Sequence, residues 1–527
     1  MEVLQERGIE RHLSLLLLSV GGALRLWQYL GHSSLWLDEI SLARNFAERS
    51  LIPLLAEPLA YHQVAPPGFL WLEKMAADSL GTGELALRLF PFVAGLAALP
   101  LFWAVSARVQ DGPSRLMARA LFAFGFPFIW HASEVKQYST DITIGLAITL
   151  LALKLAEGPV RGSLAGWAVI GGTVAMWFST PAVLMLAGVS GALLIETVLS
   201  RGELAALTRV LLGWGLGALA ATLWAYHTLS LDTSQFMKGY WQGSFLPLPP
   251  HTLLEAVWPI ERLGSLFGQS GLRYAWPALQ LPLAVLGFWT LFRARRGSSL
   301  ILLGPIVVTF LAAVVHRYPF SGRLVAFLLP AVVLGLAQGI ERLSGLLRAR
   351  FGTPLFALRG ILLAPALGPV LLAPPVYRQE DAAPILAYLG RHRQLPDRIF
   401  LFHGAGAAVD YYGPRYGLSG DFLIGGCHRE NPRRYLEELD RLRGAPRAWL
   451  ILVHYPETER LEILAYLNRI GVPRDSLTVP ANLPLAEPQG AWLYLFDLSD
   501  PARLASTTAA AMPLAYPPSG ECRPPSR

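Results

Sequence analysis

Charge is scarce in this chain. Of 527 residues only 15% are Asp, Glu, Lys or Arg, while 53% are hydrophobic and mean hydropathy is +0.42. A soluble domain carries about a quarter charged residues, so the composition is that of a polytopic membrane protein. Cysteine is scarcer still, with Cys427 and Cys522 alone. Two thiols exclude an iron–sulfur cluster, a zinc ribbon and a disulfide framework. A single bridge would need both to face an oxidising compartment, and the Pro-rich surroundings of Cys522 argue against it. A cleavable leader is also missing from the pattern. Met1–His12 is mixed in charge and Ser34-Leu35-Trp36 is a poor cleavage sequence, so Leu13–Leu30 reads as a retained transmembrane helix.

What charge there is has a pattern. The net charge of +7 and pI near 9.4 would suit nucleic acid, but the basic residues sit in short loops beside apolar runs. That is the signature of membrane topology, not of nucleic-acid binding. The apolar runs are Leu13–Leu30, Leu85–Val105, Leu116–Ile129, Ile142–Ala156, Leu164–Phe178, Val183–Val198, Val210–Tyr226, Trp276–Phe292, Leu300–Val315, Leu324–Ile340 and Ile361–Val376. The fold class predicted is therefore mainly α, a transmembrane helix bundle of about eleven spans. With the N-terminus in the cytoplasm, Arg108/Arg115/Arg119, Arg161, Arg201/Arg209, Arg293/Arg295/Arg296 and Arg342/Arg348/Arg350/Arg359 all fall on the cytoplasmic side, as the positive-inside rule requires. The opposite face then receives loops 38–84, 130–141, 227–274 and 316–323 and everything after Val376.

Residues 1–378 read as the membrane domain. From 379 to 499 the character changes. Arg398–Phe402, Ala448–Val453 and Ala491–Phe496 read as short buried strands, with helices at Pro432–Leu442 and Glu457–Ile470 between them. This predicts a small extracytoplasmic α/β domain. The tail 500–527 is rich in Ala, Pro and Ser and reads as disordered.

Polar side chains cluster in the external segments. Asp38 and Glu39 follow the first span directly. Carboxylates are costly in lipid, so a pair at the membrane edge points to a site; a solvated helix start is the competing reading. His131-Ala-Ser-Glu134-Val-Lys136-Gln-Tyr138 joins two later spans. His316-Arg317-Tyr318-Pro-Phe-Ser-Gly-Arg323 joins two more. Together they set carboxylates and three cations beside lipid. Cations at the interface hold a phosphate by charge-assisted hydrogen bonds, Arg bidentately, and a carboxylate opposite them can take a proton from a hydroxyl. For Lys136 the alternative is a salt bridge to Glu134 or Asp141. Arg25, inside the first span, reads as a structural ion pair. His403-Gly404-Ala405-Gly406-Ala407 follows a strand but lacks the remaining features of a dinucleotide fingerprint. The histidines show no metal-ligand spacing.

These stretches carry a resemblance. Leu24-Arg25-Leu26 with Leu35-Trp36-Leu37-Asp38-Glu39, Tyr61-His62-Gln63-Val64-Ala65-Pro66-Pro67-Gly68-Phe69 with Glu84-Leu-Ala-Leu-Arg88-Leu-Phe-Pro91, Ser133–Ser139, and Tyr318–Arg323 with Leu329-Pro330 occur in an order that resembles the GT-C class of polyprenyl-phosphate-dependent membrane glycosyltransferases. The nearest set is the protein O-mannosyltransferase and aminoarabinose-transferase-like enzymes, which commonly carry arginine where this chain has Lys136. The resemblance covers Leu24 to about Pro330. It implies a sugar donor on polyprenyl phosphate, an acceptor hydroxyl on protein, lipid or polysaccharide, and inversion at the anomeric carbon. On that footing Asp38 is the general base and Glu39 orients it, holds the acceptor or raises its proton affinity. Lys136 and Arg323, then Arg317, are donor-phosphate candidates. Glu134, Tyr138, His62, Arg88 and the aromatic–basic group Lys238, Tyr240 and Trp241 are substrate-binding candidates. No cofactor is implied; some relatives use a divalent metal, which the two acids here do not support. The partners implied are the lipid donor, the acceptor and the bilayer of a bacterial-type plasma membrane, with no nucleic acid. A transporter or flippase of a lipid-linked saccharide is the alternative, and it would call for internal repeats and mid-membrane polar groups.

Overall fold

In hydrocarbon a backbone must satisfy its own polar groups, and an α-helix does so within one segment. The apolar runs accordingly fold as helices. The computed structural model describes residues 2–158, 162–200, 204–247, 249–268, 277–372, 375–420, 422–483 and 489–517. Arg161, Arg201, residues 269–276 and Cys522, all used above, lie outside the described residues. The chain divides into two compact units, Met1–Gly31 with Phe46–Pro375, and His32–Asn45 with Val376–Arg527.

In the first unit seven described helices are long and apolar enough to cross a membrane: Gly8–Leu30, Leu89–Val109, Tyr138–Ala156, Ala182–Leu199, Leu204–Thr228, Arg296–Val314 and Gly322–Phe351. Gly162–Phe178, Leu279–Ala294 and Leu355–Ala364 are apolar but shorter. The chain is an integral membrane protein. The difference from eleven runs lies in these shorter helices and in the run at 116–129. That run is split, because helix Gly112–Phe124 ends at Gly125 and Phe126–Trp130 starts afresh with a proline in its first turn.

Lipid gives no hydrophobic drive between helices, so close packing of small residues holds them together. A Cβ on Gly287 would overlap the Gly335 carbonyl, and one on Gly188 would overlap the Gly304–Pro305 peptide. The splitting of the third run also accounts for Arg25. Its buried guanidinium donates to Gly21 O at 2.8 Å, to Phe122 O at 3.2 Å and to Ala123 O at 3.3 Å. The last two are carbonyls of the final helical turn before Gly125, which lack helical donors. Arg25 thus has backbone partners where an ion pair was predicted, and no carboxylate partner among the described residues.

The second unit carries a five-stranded sheet of β1 (Arg398–Leu401), β2 (Leu423–Ile424), β3 (Ala448–Leu452), β4 (Val472–Val479) and β5 (Ala491–Asp497), in the order β2-β1-β3-β5-β4. β1 runs parallel to β2 and β3, whereas β5 is antiparallel to β3 and β4. Every residue of β3 is buried, as a central strand covered on both faces requires. Helix Glu457–Ile470 packs Ile463, Tyr466 and Leu467 into the sheet core. The reading of 500–527 as a disordered tail needs correction in its first part. Pro501–Ser506 is helical, and Ala509 and Met512 are buried in the same core. Composition missed this because two apolar side chains are enough to dock a short polar segment. Cys427 is disulfide-bonded, against the sequence reading.

Candidate active site

In the membrane unit three segments remote in sequence come together. Helix Phe126–Trp130 passes through the turn His131–Ser133 into a tight loop closed by Lys136 N donating to Glu134 O at 2.6 Å. His131 Nδ1 and Glu134 Oε2 lie 2.7 Å apart, both residues buried; Glu134 Oε1 is buried with no hydrogen-bond partner among the described residues. The Lys136 ammonium donates to Gln63 Oε1 at 2.6 Å, and Gln137 Nε2 to Val64 O at 3.4 Å. Tyr138 starts the next span. The Arg323 guanidinium lies 5.7 Å over the Tyr138 ring, which also lies 5.1 Å from the His131 ring. Arg323 sits in a loop where Tyr318 OH donates to Leu324 O at 2.8 Å and the N–H of buried Phe320 donates to Ser244 O at 3.4 Å.

The Tyr61–Gln63 segment connects this group to the large loop. Tyr61 and His62 adopt left-handed backbone, with φ of 60° and 51°, an uncommon conformation for such residues. It sends His62 against helix Leu231–Tyr240, where its ring stacks 4.2 Å from Phe236 and its Nδ1 lies 3.4 Å from Asp232 Oδ2. Phe236 continues to Tyr240 at 6.0 Å, and Tyr240 to Trp241 at 4.9 Å. Lys136, Arg323, Tyr138, Glu134, His62, Tyr240 and Trp241 therefore belong to one connected set. Lys238, on the same helix, is exposed, as is Arg317, whose side chain has no partner among the described residues. Arg88 is buried where helix Glu84–Leu87 meets Leu89–Val109, a position suited to holding that junction. Sequence reading passed over Gln63 as the lysine's partner and offered Asp141 only as a salt-bridge alternative for Lys136; Asp141 is buried and hydrogen-bonded to Ser179. Gln63 stood inside a quoted motif, so a signal was available.

Asp38 and Glu39 belong to the second unit and open helix Leu37–Glu48. Glu39 is fully buried, and its Oε2 accepts from Trp36 N at 3.2 Å. This is the reach-back half of a capping box, so Glu39 has a helix-capping task of its own. Asp38 is only half-buried. Four consecutive amides before and into the helix donate to side chains. Ser34 N meets Asp381 Oδ1 at 2.9 Å, Leu35 N meets Tyr412 OH at 2.7 Å, Trp36 N meets Glu39, and Leu37 N meets Glu380 Oε2 at 3.2 Å. Glu380 and Asp381 form a second acidic pair in the sequence, at the end of the last apolar run, and the sequence reading passed over them.

Glu380 is 1% exposed, and its Oε1 accepts from His454 Nδ1 at 2.8 Å. Both residues hold left-handed backbone, φ 50° and 54°, at a cost of roughly 1–3 kcal/mol each. Burial pulls the His454 proton affinity down, but Glu380 and then Asp38 outweigh it and hold the pKa above the usual value, against the opposing charge of Arg429. His403 behaves oppositely. Burial, then Arg429, His454 and His428, push its pKa down to about 3. Gly404 beside it is required by packing, since a Cβ there would overlap the carbonyls of Val453 and His454. Among the described residues no group of three or more His, Cys, Asp or Glu could hold a metal ion.

No family model matches the chain, and no curated protein matches it. Among solved structures it is similar to ArnT from Cupriavidus metallidurans in the apo state, at 15% identity and a TM-score of 0.48, over 91% of this chain and 97% of that one. The same protein bound to undecaprenyl phosphate gives 13% identity and 0.47 over the same shares. The archaeal oligosaccharyltransferase AglB from Archaeoglobus fulgidus, in complex with an inhibitory peptide and a dolichol-phosphate, gives 11% and 0.45 over 88% of this chain and 72% of that one. The likeness is distant, and the functional reading below stands on this chain's own residues.

Proposed function

We propose that this protein is a membrane glycosyltransferase that moves a sugar from a polyprenyl-phosphate donor to an acceptor hydroxyl at the outer face of a bacterial-type plasma membrane. In this reading the N-terminus is cytoplasmic and the α/β unit extracytoplasmic. The supporting observation is the meeting of the 61–63, 131–138 and 318–323 segments in the membrane unit, with Lys136 on Gln63 and Arg323 over Tyr138. Lys136 and Arg323 bring two positive charges that suit a phosphate, and the adjoining ring surface of His62, Phe236, Tyr240 and Trp241 offers apolar faces to a sugar.

Asp38 takes the proton of the acceptor hydroxyl as its oxygen bonds to the anomeric carbon. The bond from that carbon to the phosphate oxygen breaks, and the lipid phosphate leaves with both electrons. Lys136 and Arg323 offset the negative charge that builds on it. The phosphate is a good leaving group and needs no separate acid.

The test is sugar transfer in reconstituted vesicles. Wild type and Asp38→Asn are offered labelled polyprenyl-phosphate sugars, with host membrane extract as acceptor. Label leaving one donor with wild type alone supports the reading and names the sugar. An active Asp38→Asn protein would sink the base assignment, and movement of intact donor across the bilayer without turnover would favour a flippase.

A further inference from the structure

We propose that Glu380, backed by His454, is a positioning residue for Asp38, so that the α/β unit sets the geometry of the base instead of merely lying beside it. The inference rests on the reading of Asp38 as general base. Three of the four consecutive amides at 34–37 donate to Asp381, Tyr412 and Glu380. These residues are contributed from beyond the membrane helices, and they fix where helix Leu37–Glu48 begins. Ser34 is bound a second time, its hydroxyl donating to Asp381 and accepting from Ala383 N at 2.8 Å. Glu380 touches the residue immediately before Asp38 through one oxygen and His454 through the other. A buried carboxylate with both oxygens engaged cannot turn away without leaving a donor unmet. The charged groups acting on His454 are Glu380, Asp38 and Arg429, and His403 is in turn affected by it. Asp38 is among the charges that raise the His454 pKa, and the interaction is mutual: a protonated His454 favours the ionised carboxylate.

The experiment compares full-length Glu380→Gln, His454→Gln and Asp38→Asn in the vesicle assay, with hydrogen exchange measured over residues 34–39. In Glu380→Gln, kcat falls by roughly tenfold to a hundredfold, as for a small misplacement of a reacting group, with donor KM unchanged and exchange faster at 34–39. In His454→Gln the acid limb of the kcat profile moves to higher pH. Wild-type kcat and exchange in Glu380→Gln would overturn the inference. If that variant does not fold, His454→Gln decides, and an unmoved acid limb with unchanged exchange overturns it. Activity in Asp38→Asn would mark failure of the functional reading instead, and the exchange measurement would still report on positioning.

Discussion

Lys136 and Gln63, 73 positions apart, share a hydrogen bond of 2.6 Å between the ammonium and the amide oxygen. The bond ties the loop between two spans to the segment Tyr61–Gln63 and orients the lysine through a neutral group. The amide oxygen accepts from the ammonium without bringing a negative charge of its own.

Lys136→Met keeps the length of the side chain and removes the charge. Donor KM should rise roughly tenfold to a hundredfold, the worth of one charge-assisted hydrogen bond. Lys136→Arg should retain most of the activity. Steady-state kinetics over a donor titration checks both.

Arg323 over Tyr138 is a cation–π contact, so the ring should matter. Tyr138→Phe keeps that ring and should lose less than Tyr138→Ala. Tyr138→Ala should lose roughly twofold to thirtyfold in kcat/KM, the range for such contacts. Arg323→Lys should also be impaired, because an ammonium does not reproduce the planar fork. Equal loss in Tyr138→Phe and Tyr138→Ala would contradict this.

The bundle should be intolerant at Gly287 and tolerant at Gly345. A Cβ at Gly287 meets the Gly335 backbone, whereas at Gly345 it meets open space. Gly287→Ala should destabilise by roughly 1–3 kcal/mol through overpacking, and Gly345→Ala should be neutral or stabilising by about 0.5–1 kcal/mol. Thermal unfolding in detergent reads both.

His403 predicts a pH effect on the α/β unit. Its folded pKa of about 3 lies below the unfolded value of about 6.5. Its contribution is therefore present above pH 6.5 and lost as pH falls toward 3. His454 has the opposite sign, contributing below about pH 6.5 and losing that contribution as pH rises through its raised folded pKa. His403→Phe should keep the ring contact with Phe402, 4.2 Å away, and remove the acid sensitivity. Unfolding free energies from denaturant titrations at pH 7 and pH 4.5, followed by tryptophan fluorescence, should differ less in the variant than in wild type, by roughly 2 kcal/mol.

The sequence by itself determined that this chain lies in a membrane, because a mean hydropathy of +0.42 with 15% charge cannot be packed into a soluble globule. It also made three of the five strands of the α/β unit legible, because Arg398–Leu401, Ala448–Leu452 and Ala491–Asp497 are short apolar runs marked locally, while Leu423–Ile424 and Val472–Val479 carry no such run and were not read. It marked the acids and cations worth attention, because a charge beside lipid is costly enough to stand out in one dimension. Tertiary structure alone decided their partners. Arg25 binds carbonyls of a broken helix, Lys136 meets Gln63, Glu39 caps its own helix, and Leu37 donates to Glu380 across 343 positions. Hydropathy is a sum over neighbours in sequence, and so it can be read along a chain. A hydrogen bond depends on a few ångströms between groups that only the folded chain brings together.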